Sequence, residues 1–224
     1  MKHFLIIISI LFCTNSYAQV HFGLSSGAAV TKFRLKDNFG FDHSALTGFN
    51  IGVPTLFKFN KNIALESAIY YLNMGSTMTF NVNVIDANDP IYQSIKDTKY
   101  YYRINYLSIP LTFNYSIPIS TYSIYAKAGG YFSYALNSNV KNNNSNEKDN
   151  LDFKDENIKR TDLGILFGIG VTRELGNGFV FFDARYMIGC SYLARNKDYY
   201  TTTHNAYNRG VFLNVGYMFN LGKS

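Results

Sequence analysis

Apolar and polar residues alternate one by one over long stretches of this chain. The clearest case is the C-terminal segment, where one face would carry Val211, Leu213, Val215, Tyr217, Phe219 and Leu221. Residues on one face of a β-strand recur at every second position, whereas those on one face of a helix recur every three or four. A period of two fits nearly everywhere after residue 18. The pattern therefore predicts strands.

Eight segments show this alternation. Their predicted bounds are 20–31, 45–58, 63–74, 100–115, 121–135, 161–173, 179–189 and 208–221. They are long for soluble strands, but a tilted strand needs about 9–11 residues to cross a bilayer.

The connections between the segments alternate in length. Three are short and rich in Asn, Gly and Pro, as hairpin turns are: 59–62, 116–120 and 174–178. Four are long and polar: 32–44, 75–99, 136–160 and 190–207. The chain would therefore have tight turns at one end and large loops at the other. Outer-membrane barrels have this polarity, with turns in the periplasm and loops outside.

The two faces of the segments distinguish a soluble barrel from a membrane barrel. Glycine should mark the concave side, and the charged strand residues fall on that same side. These residues are Gly48, Gly52, Gly164, Gly168, Gly170, Gly210 and Gly216, with Lys58, Glu66, Lys127, Asp162, Asp183 and Arg185. A soluble barrel such as a lipocalin would bury these charges and expose rows of Leu, Ile, Phe and Val. We therefore predict an all-β fold, an eight-stranded antiparallel up-and-down transmembrane β-barrel.

Prolines bear on this assignment in two ways. Residues 104–126 carry no charge and could be considered a spanning helix, but Pro110 and Pro118 interrupt them. Proline is normally confined to strand edges or bulges, and a closed barrel has no edges. Pro54 and Pro110 lie within predicted strands, so we expect a bulge or a locally broken hydrogen bond at each.

Composition agrees with a barrel whose strand faces alternate. The chain is 47% hydrophobic and 16% charged, with a mean hydropathy of −0.09. These values exclude a disordered chain and a helical membrane protein. Two cysteines exclude a disulfide framework. The formal charge of +6 is spread along the chain, so we expect no nucleic-acid partner.

The first residues resemble an export signal. Lys2 precedes the apolar run from Phe4 to Phe12, and Ser16 and Ala18 supply the small residues of a cleavage site. We predict a signal peptide over residues 1–18 and a barrel domain over residues 19–224. A lipoprotein anchored at Cys13 is disfavoured by the bulky residue before it. The expected location is the bacterial outer membrane.

The ordered series of short motifs resembles the outer-membrane β-barrel domain of PorT-like proteins, which are related in shape to the small OmpA and OmpX barrels. The motifs are Tyr106-Leu107-Ser108-Ile109-Pro110-Leu111, Gly129-Gly130-Tyr131, Asp162-Leu163-Gly164, Gly168-Ile169-Gly170, Arg185-Tyr186 with Gly189, and Asn214-Val215-Gly216-Tyr217-Met218-Phe219. The family often has an acidic or amide residue where this chain has Ser108. The resemblance implies location and shape; the link of some members to a secretion apparatus does not transfer on these residues.

Four inward charges are the main candidates for a site. Glu66, Lys127, Asp183 and Arg185 are two acids and two bases, and each would be costly if buried unpaired. We predict a structural ion-pair network in the lumen. The alternative is a narrow channel that conducts ions along the same charges.

An enzyme with its active site at the barrel rim is a further alternative. His43 and His204 lie in the first and last long connections, which become neighbours when a barrel closes. Such a rim could modify lipids. However, Asp42, His43 and Ser44 are consecutive and cannot form a triad among themselves, and the chain has no Gly-x-Ser-x-Gly motif.

No spacing of ligands indicates a metal site, and residues 141–160 lack a glycine-centred calcium loop. We therefore expect no cofactor, no metal and no catalytic residue. The expected function is non-enzymatic: a structural or interaction role in envelope integrity, adhesion or secretion. Its expected partners are the lipid bilayer and a protein of the envelope or the exterior that binds loops 75–99 and 136–160. We expect a monomer.

Overall fold

The structure is a computed structural model that describes residues 19–35, 41–80, 98–144, 148–154, 158–197 and 203–221. The predicted signal peptide lies outside these residues and stays a prediction. No described residue belongs to a helix that is long and apolar enough to span a membrane.

Within the described residues the chain forms ten antiparallel strands. They are β1 (Gln19–Leu35), β2 (Phe41–Lys58), β3 (Ile63–Phe80), β4 (Lys99–Ile119), β5 (Tyr122–Asn142), β6 (Asp149–Asn150), β7 (Thr161–Glu174), β8 (Gly178–Gly189), β9 (Ala194–Lys197) and β10 (Thr203–Asn220). Eight of them close into a ring in the order β1-β2-β3-β4-β5-β7-β8-β10, and β10 pairs with β1. The predicted eight-stranded antiparallel barrel is confirmed. The short strands β6 and β9 pair with β5 and β10 at the end where the long connections lie.

The strands extend further toward the long connections than the sequence predicted. Residues 75–80 belong to β3 and residues 136–142 to β5, so the predicted bounds of loops 75–99 and 136–160 were wrong. The extension of β5 is largely polar on both faces and leaves no alternation to detect, and the extension of β3 begins with the small residues Gly75, Ser76 and Thr77. The barrel wall therefore projects beyond its apolar part. Residues 81–97 lie outside the described chain.

The turns at the other end are short, as expected, but one was misplaced. The β4–β5 turn contains only Ser120 and Thr121, whereas the sequence indicated residues 116–120. Ser120 has a φ of 56°, a left-handed conformation that lets so short a turn close. The β7–β8 turn uses Gly176, whose φ of 59° glycine adopts without strain.

The outward face of the ring is apolar and the inward face is mixed. On β4 the outward Leu111 and Phe113 are 54% and 66% exposed, whereas the inward Thr112 is 2% exposed. Phe212 and Met218, the apolar exceptions on the polar face of β10, lie buried in the lumen. We call the exposed outward apolar residues of the ring the apolar band. It is the surface that a membrane barrel presents to lipid.

Pro54 and Pro110 interrupt backbone pairing without shifting it. The β1–β2 register is the same before and after a gap at Pro54, and the β3–β4 register is the same on both sides of a gap at Pro110. Of the two expected alternatives, the locally broken pairing is therefore found and the bulge is not. The register shifts lie elsewhere, between Ala45 and Asn50 and between Asn105 and Tyr106.

Candidate functional site

The four inward charges come together in the lumen. Glu66 comes from β3, Lys127 from β5, and Asp183 and Arg185 from β8, and all four are buried. The Lys127 Nζ atom lies 2.9 Å from Glu66 Oε2 and 2.8 Å from Asp183 Oδ2. The Arg185 Nε atom lies 2.8 Å from Asp183 Oδ1. One cation thus joins two carboxylates that belong to different strands.

One contact of this cluster crosses the whole bore. Strands β3 and β8 lie on opposite sides of the ring, yet Arg185 Nη2 lies 3.6 Å from Glu66 Oε1. Two acids and two bases have no net charge, so each buried charge has an opposite partner. Such pairing is what makes burial of charges tolerable in a medium of low dielectric constant.

Uncharged residues complete the cluster, and the sequence analysis missed them. Asn114 Nδ2 donates to Glu66 Oε2 at 2.8 Å, and Asn214 Nδ2 donates to Asp183 Oδ1 at the same distance. The Tyr125 hydroxyl donates to Asp183 Oδ2 at 2.9 Å. Counting charges could not find these residues. The alternation did place both asparagines on the inward face, which was the available signal. We call these seven residues the lumen network.

A second polar group lies nearer the long connections. Its centre is the buried Asp162 carboxylate, which accepts hydrogen bonds from the Tyr131 hydroxyl at 3.1 Å, Asn208 Nδ2 at 3.0 Å and Ser191 Oγ at 2.9 Å. No ion pair joins Asp162 to another described residue. Hydroxyl and amide donors therefore stabilise this carboxylate, which serves as a hub between β5, β7 and β10.

Apolar side chains fill the lumen around these polar groups. Tyr70, Leu72, Leu166 and Phe212 pack on one side of the lumen network, and Phe179, Phe181 and Met218 pack near the short turns. A cavity of about 60 Å³ lies beside Glu66 at the short-turn end, and one of about 10 Å³ lies beside Arg185. Glu66 lines the first cavity and Arg185 lines the second, so their ion pair lies between the two. The geometry does not favour a channel.

Comparison with known families fits this architecture. A family model described as "Outer membrane protein beta-barrel domain" matches residues 15–194, most of the chain. The chain belongs to this family. No curated protein matches it significantly.

Solved structures of other outer-membrane barrels resemble this one. OprG from Pseudomonas aeruginosa is 12% identical, with a TM-score of 0.51 over 90% of this chain and 96% of OprG. Ail from Yersinia pestis is 15% identical, with a TM-score of 0.43 over 90% and 99% of the two chains. The protease OmpT from Escherichia coli is 9% identical, with a TM-score of 0.38 over 91% and 97%. At such identities a likeness shows the fold alone, so activity must be argued from the site.

The histidines of this outer-membrane barrel lie on different strands, and the side chain of His204 is outside the described structure. His43 lies on β2 and His204 on β10, with β1 between them. His43 is half-buried, and neither of its ring nitrogens has a hydrogen-bond partner. Burial, and then the nearby Lys32, lower the pKa of His43, so its ring is neutral at neutral pH. His21 packs against Phe179 near the short turns, with ring centroids 5.3 Å apart.

The described residues contain no group of three His, Cys, Asp or Glu side chains that could hold a metal ion. The lumen network is therefore the main concentration of chemistry that the described structure offers. Its charges are directed at one another.

Proposed function

We propose that this outer-membrane barrel is a non-enzymatic structural or interaction protein whose lumen is a packed core. The ion pair between Glu66 and Arg185 carries the proposal, because it closes the bore with groups that are satisfied by each other. A channel would need a continuous wet path, and an active site would need a reactive group facing a substrate. The lumen network supports neither.

We assign the long-connection end to the cell exterior and both chain termini to the periplasm. The hairpin of β4 and β5 is the longest, and it pairs from Ile119 and Tyr122 up to Tyr100 and Asn142, with one register shift where Leu136 has no partner on β4. Its upper part offers a polar surface. Asn73 donates to Asn105, and Asn105 donates to Asn137 at 2.6 Å, in a ladder across three strands.

A surface pocket of about 430 Å³ lies beside this ladder. Polar side chains dominate its lining, and they include Asn139, Asp152 and Arg160. Amide-rich surfaces offer donors and acceptors in pairs, which suits recognition of a polar partner. All but one of the pocket's lining residues, and Asn137 of the ladder, belong to region 136–160, so they support docking of an envelope or extracellular protein there.

We place the chain with the PorT-like barrels, on the ordered motifs between Tyr106 and Phe219. The roles open to it are envelope integrity, adhesion and a secretion-associated function. It would be exported by cleavage after Ala18 and act as a monomer.

A complementation experiment tests this function. A strain without the gene would receive either the wild-type protein or a barrel in which residues 143–157 are replaced by a short Gly-Ser linker. Detergent sensitivity, surface adhesion and protein secretion would be measured in both. We expect the shortened barrel to fold, as a heat-modifiable band in the outer membrane, and to lose the adhesion or secretion phenotype. Full complementation would contradict docking through this region.

A separate measurement tests the absence of catalysis. We expect His43→Ala to leave every phenotype unchanged. Loss of lipid acyl transfer or hydrolysis in detergent on this substitution would contradict the non-enzymatic proposal and favour the rim enzyme.

A further inference from the structure

Two cations face each other directly on the outer surface where the first and last strands meet. Lys32 on β1 lies opposite Arg209 on β10. Both face outward, because residues two positions apart on a strand share a face and the neighbours Val30 and Val211 are 50% and 45% exposed. Neither cation forms an ion pair with a described residue. Like charges directly opposite each other on paired strands destabilise a sheet unless an anion lies between them.

A third cation extends this pair. Arg34 is the next outward residue on β1, and its guanidinium carbon lies 4.9 Å from the centroid of the Tyr207 ring. The inward neighbours Thr31 and Asn208 are each 1% exposed, so the three cations belong to the outer wall and not to the lumen. We call Lys32, Arg34 and Arg209 the basic patch.

The basic patch lies where the apolar band ends. Below it, the outward positions of the seam from Phe22 to Val30 and from Val211 to Phe219 are apolar or small. Each of these stretches matches the ~9–11 residues with which a tilted strand crosses a bilayer. On the long-connection side, the next outward residues after these stretches are Lys32 and Arg209 of the basic patch. It therefore lies at the level of lipid headgroups in the outer leaflet.

A groove in the apolar band begins just below the basic patch. It has a volume of about 800 Å³ and an almost wholly apolar lining. Its upper end is Val211, about 7 Å along β10 from Arg209 at the usual rise per residue. Its floor consists of small residues, Ala126, Ala128 and Ala184, between larger outward side chains. The groove descends across β8, β7, β5 and β4 to Ile63, beside a short turn.

We propose that Lys32 and Arg209 bind the phosphate of an outer-leaflet lipid and that one acyl chain of this lipid lies in the groove. A phosphate between the two cations removes their repulsion, and a guanidinium binds phosphate oxygens in pairs. The groove supplies an apolar surface for the chain attached to that headgroup. This proposal rests on the orientation proposed above, with the long connections outside the cell, but it requires no role of the loops.

Binding of the lipid phosphate by Lys32 and Arg209 is tested with the folded mature protein in neutral detergent. Native mass spectrometry would compare the retention of lipid A that carries two phosphates with that of the same lipid after phosphatase treatment. We expect the wild type to bind the phosphorylated lipid at least tenfold more tightly. The double variant K32A/R209A should lose this preference and still show a heat-modifiable band. Equal preference in the double variant and the wild type would overturn the proposal.

Arg173 provides a matched control for the charge. It also faces outward, but at the short-turn end, 5.3 Å from the Tyr122 ring. Arg173→Ala should leave the affinity for the phosphorylated lipid unchanged. If it weakens binding as much as K32A/R209A, attraction by net charge explains the result and the site does not exist.

The groove is tested by filling it. Ala184→Phe should lower the affinity about fivefold, whereas Ala28→Phe, on the outward face outside the groove, should not. Equal effects of the two would refute a bound acyl chain. A competition with inorganic phosphate separates lipid from free anion. Complete displacement of the lipid by millimolar phosphate would show that the site binds a free anion and would overturn its assignment to a lipid.

Discussion

Lys127 Nζ lies 2.8 Å from Asp183 Oδ2, although a whole strand, β7, separates the strands that carry them. The same ammonium contacts Glu66, which is itself 3.6 Å from Arg185. The four charges therefore form one unit, in which each member offsets the others.

Removal of one charge should destabilise the barrel strongly. In Lys127→Met, two buried carboxylates would share one arginine, which leaves a buried charge without compensation. Breaking a buried ion pair in this way costs about 3–5 kcal/mol. Urea unfolding of the protein in detergent, followed by the heat-modifiable gel shift, would measure the free energy of unfolding.

A balanced double variant is the control for this prediction. Glu66→Gln with Lys127→Met leaves the pair of Asp183 and Arg185 intact and the lumen network neutral. We expect it to recover most of the stability that the single variant loses. If the two variants are equally unstable, lost packing and not unpaired charge explains the effect.

The barrel should not conduct ions. The pair of Glu66 and Arg185 spans the bore, and the nearest cavity at the short-turn end is about 60 Å³. In planar bilayers we expect no current steps from the wild type at any voltage. Steps that vanish in Arg185→Ala would instead demonstrate an ion path through these charges.

Substitution of glycine by alanine should destabilise the barrel more on the inward face of the wall than on the outward face. A Cβ at Gly170 would lie 2.6 Å from Tyr125 Cζ and 2.7 Å from Asp183 Cβ. Gly170→Ala should therefore displace Tyr125 from the lumen network and cost about 1–3 kcal/mol, as overpacking does. A Cβ at Gly130 meets no atom closer than 3.5 Å. Gly130→Ala should change the free energy of unfolding by less than about 1 kcal/mol, and both values come from urea titration.

Cys190 should report the orientation of the barrel. It is an exposed free cysteine at the long-connection end of β8. Cys13 is the only other cysteine in the sequence. A membrane-impermeant thiol reagent should label Cys190 on intact cells. With Cys190→Ser, a cysteine placed at Asn177 in a short turn should react only after the outer membrane is permeabilised. The reverse labelling pattern would show that the short turns, and not the long connections, face the cell exterior.

The proline sites should exchange amide hydrogens faster than their surroundings. Pairing between β3 and β4 is interrupted at Ala68 and Ile69, opposite Pro110. Hydrogen exchange followed by mass spectrometry should show this segment opening more readily than residues at similar depth in β10. Pro110→Ala restores an N–H and should slow the exchange. Unchanged rates would mean that the gap has a cause other than the proline.

Periodicity was sufficient to predict the ring. In a membrane wall each strand must show lipid one face and the lumen the other, so residues such as Leu111 and Thr112 alternate wherever the strand lies in the bilayer. Outside the bilayer this constraint ends, and residues 136–142 continue β5 without any alternation to reveal it. The turn after β4 was misplaced because Pro118 imitates a turn residue while its strand continues to Ile119.

The composition of the site was only partly predictable. Charges are conspicuous, so Glu66 and Asp183 could be named from their face alone. Tyr125, Asn114 and Asn214 carry no charge, and which of the many inward polar residues reach a given carboxylate depends on the stagger of strands around the ring. That stagger is a property of the closed barrel, which no single segment contains.

The seam between β1 and β10 has a consequence for how the barrel is made and kept shut. Its pairs run in one register from His21 and Asn220 to Leu35 and Ala206, with no proline and no shift. The first and last strands of the ring thus join through the longest unbroken ladder among the described pairings, while the pairings interrupted at Pro54 and Pro110 join strands that follow one another in the chain. Once β1 and β10 have paired, the barrel should not open between these two strands. Any sideways parting of the wall should begin instead at the prolines.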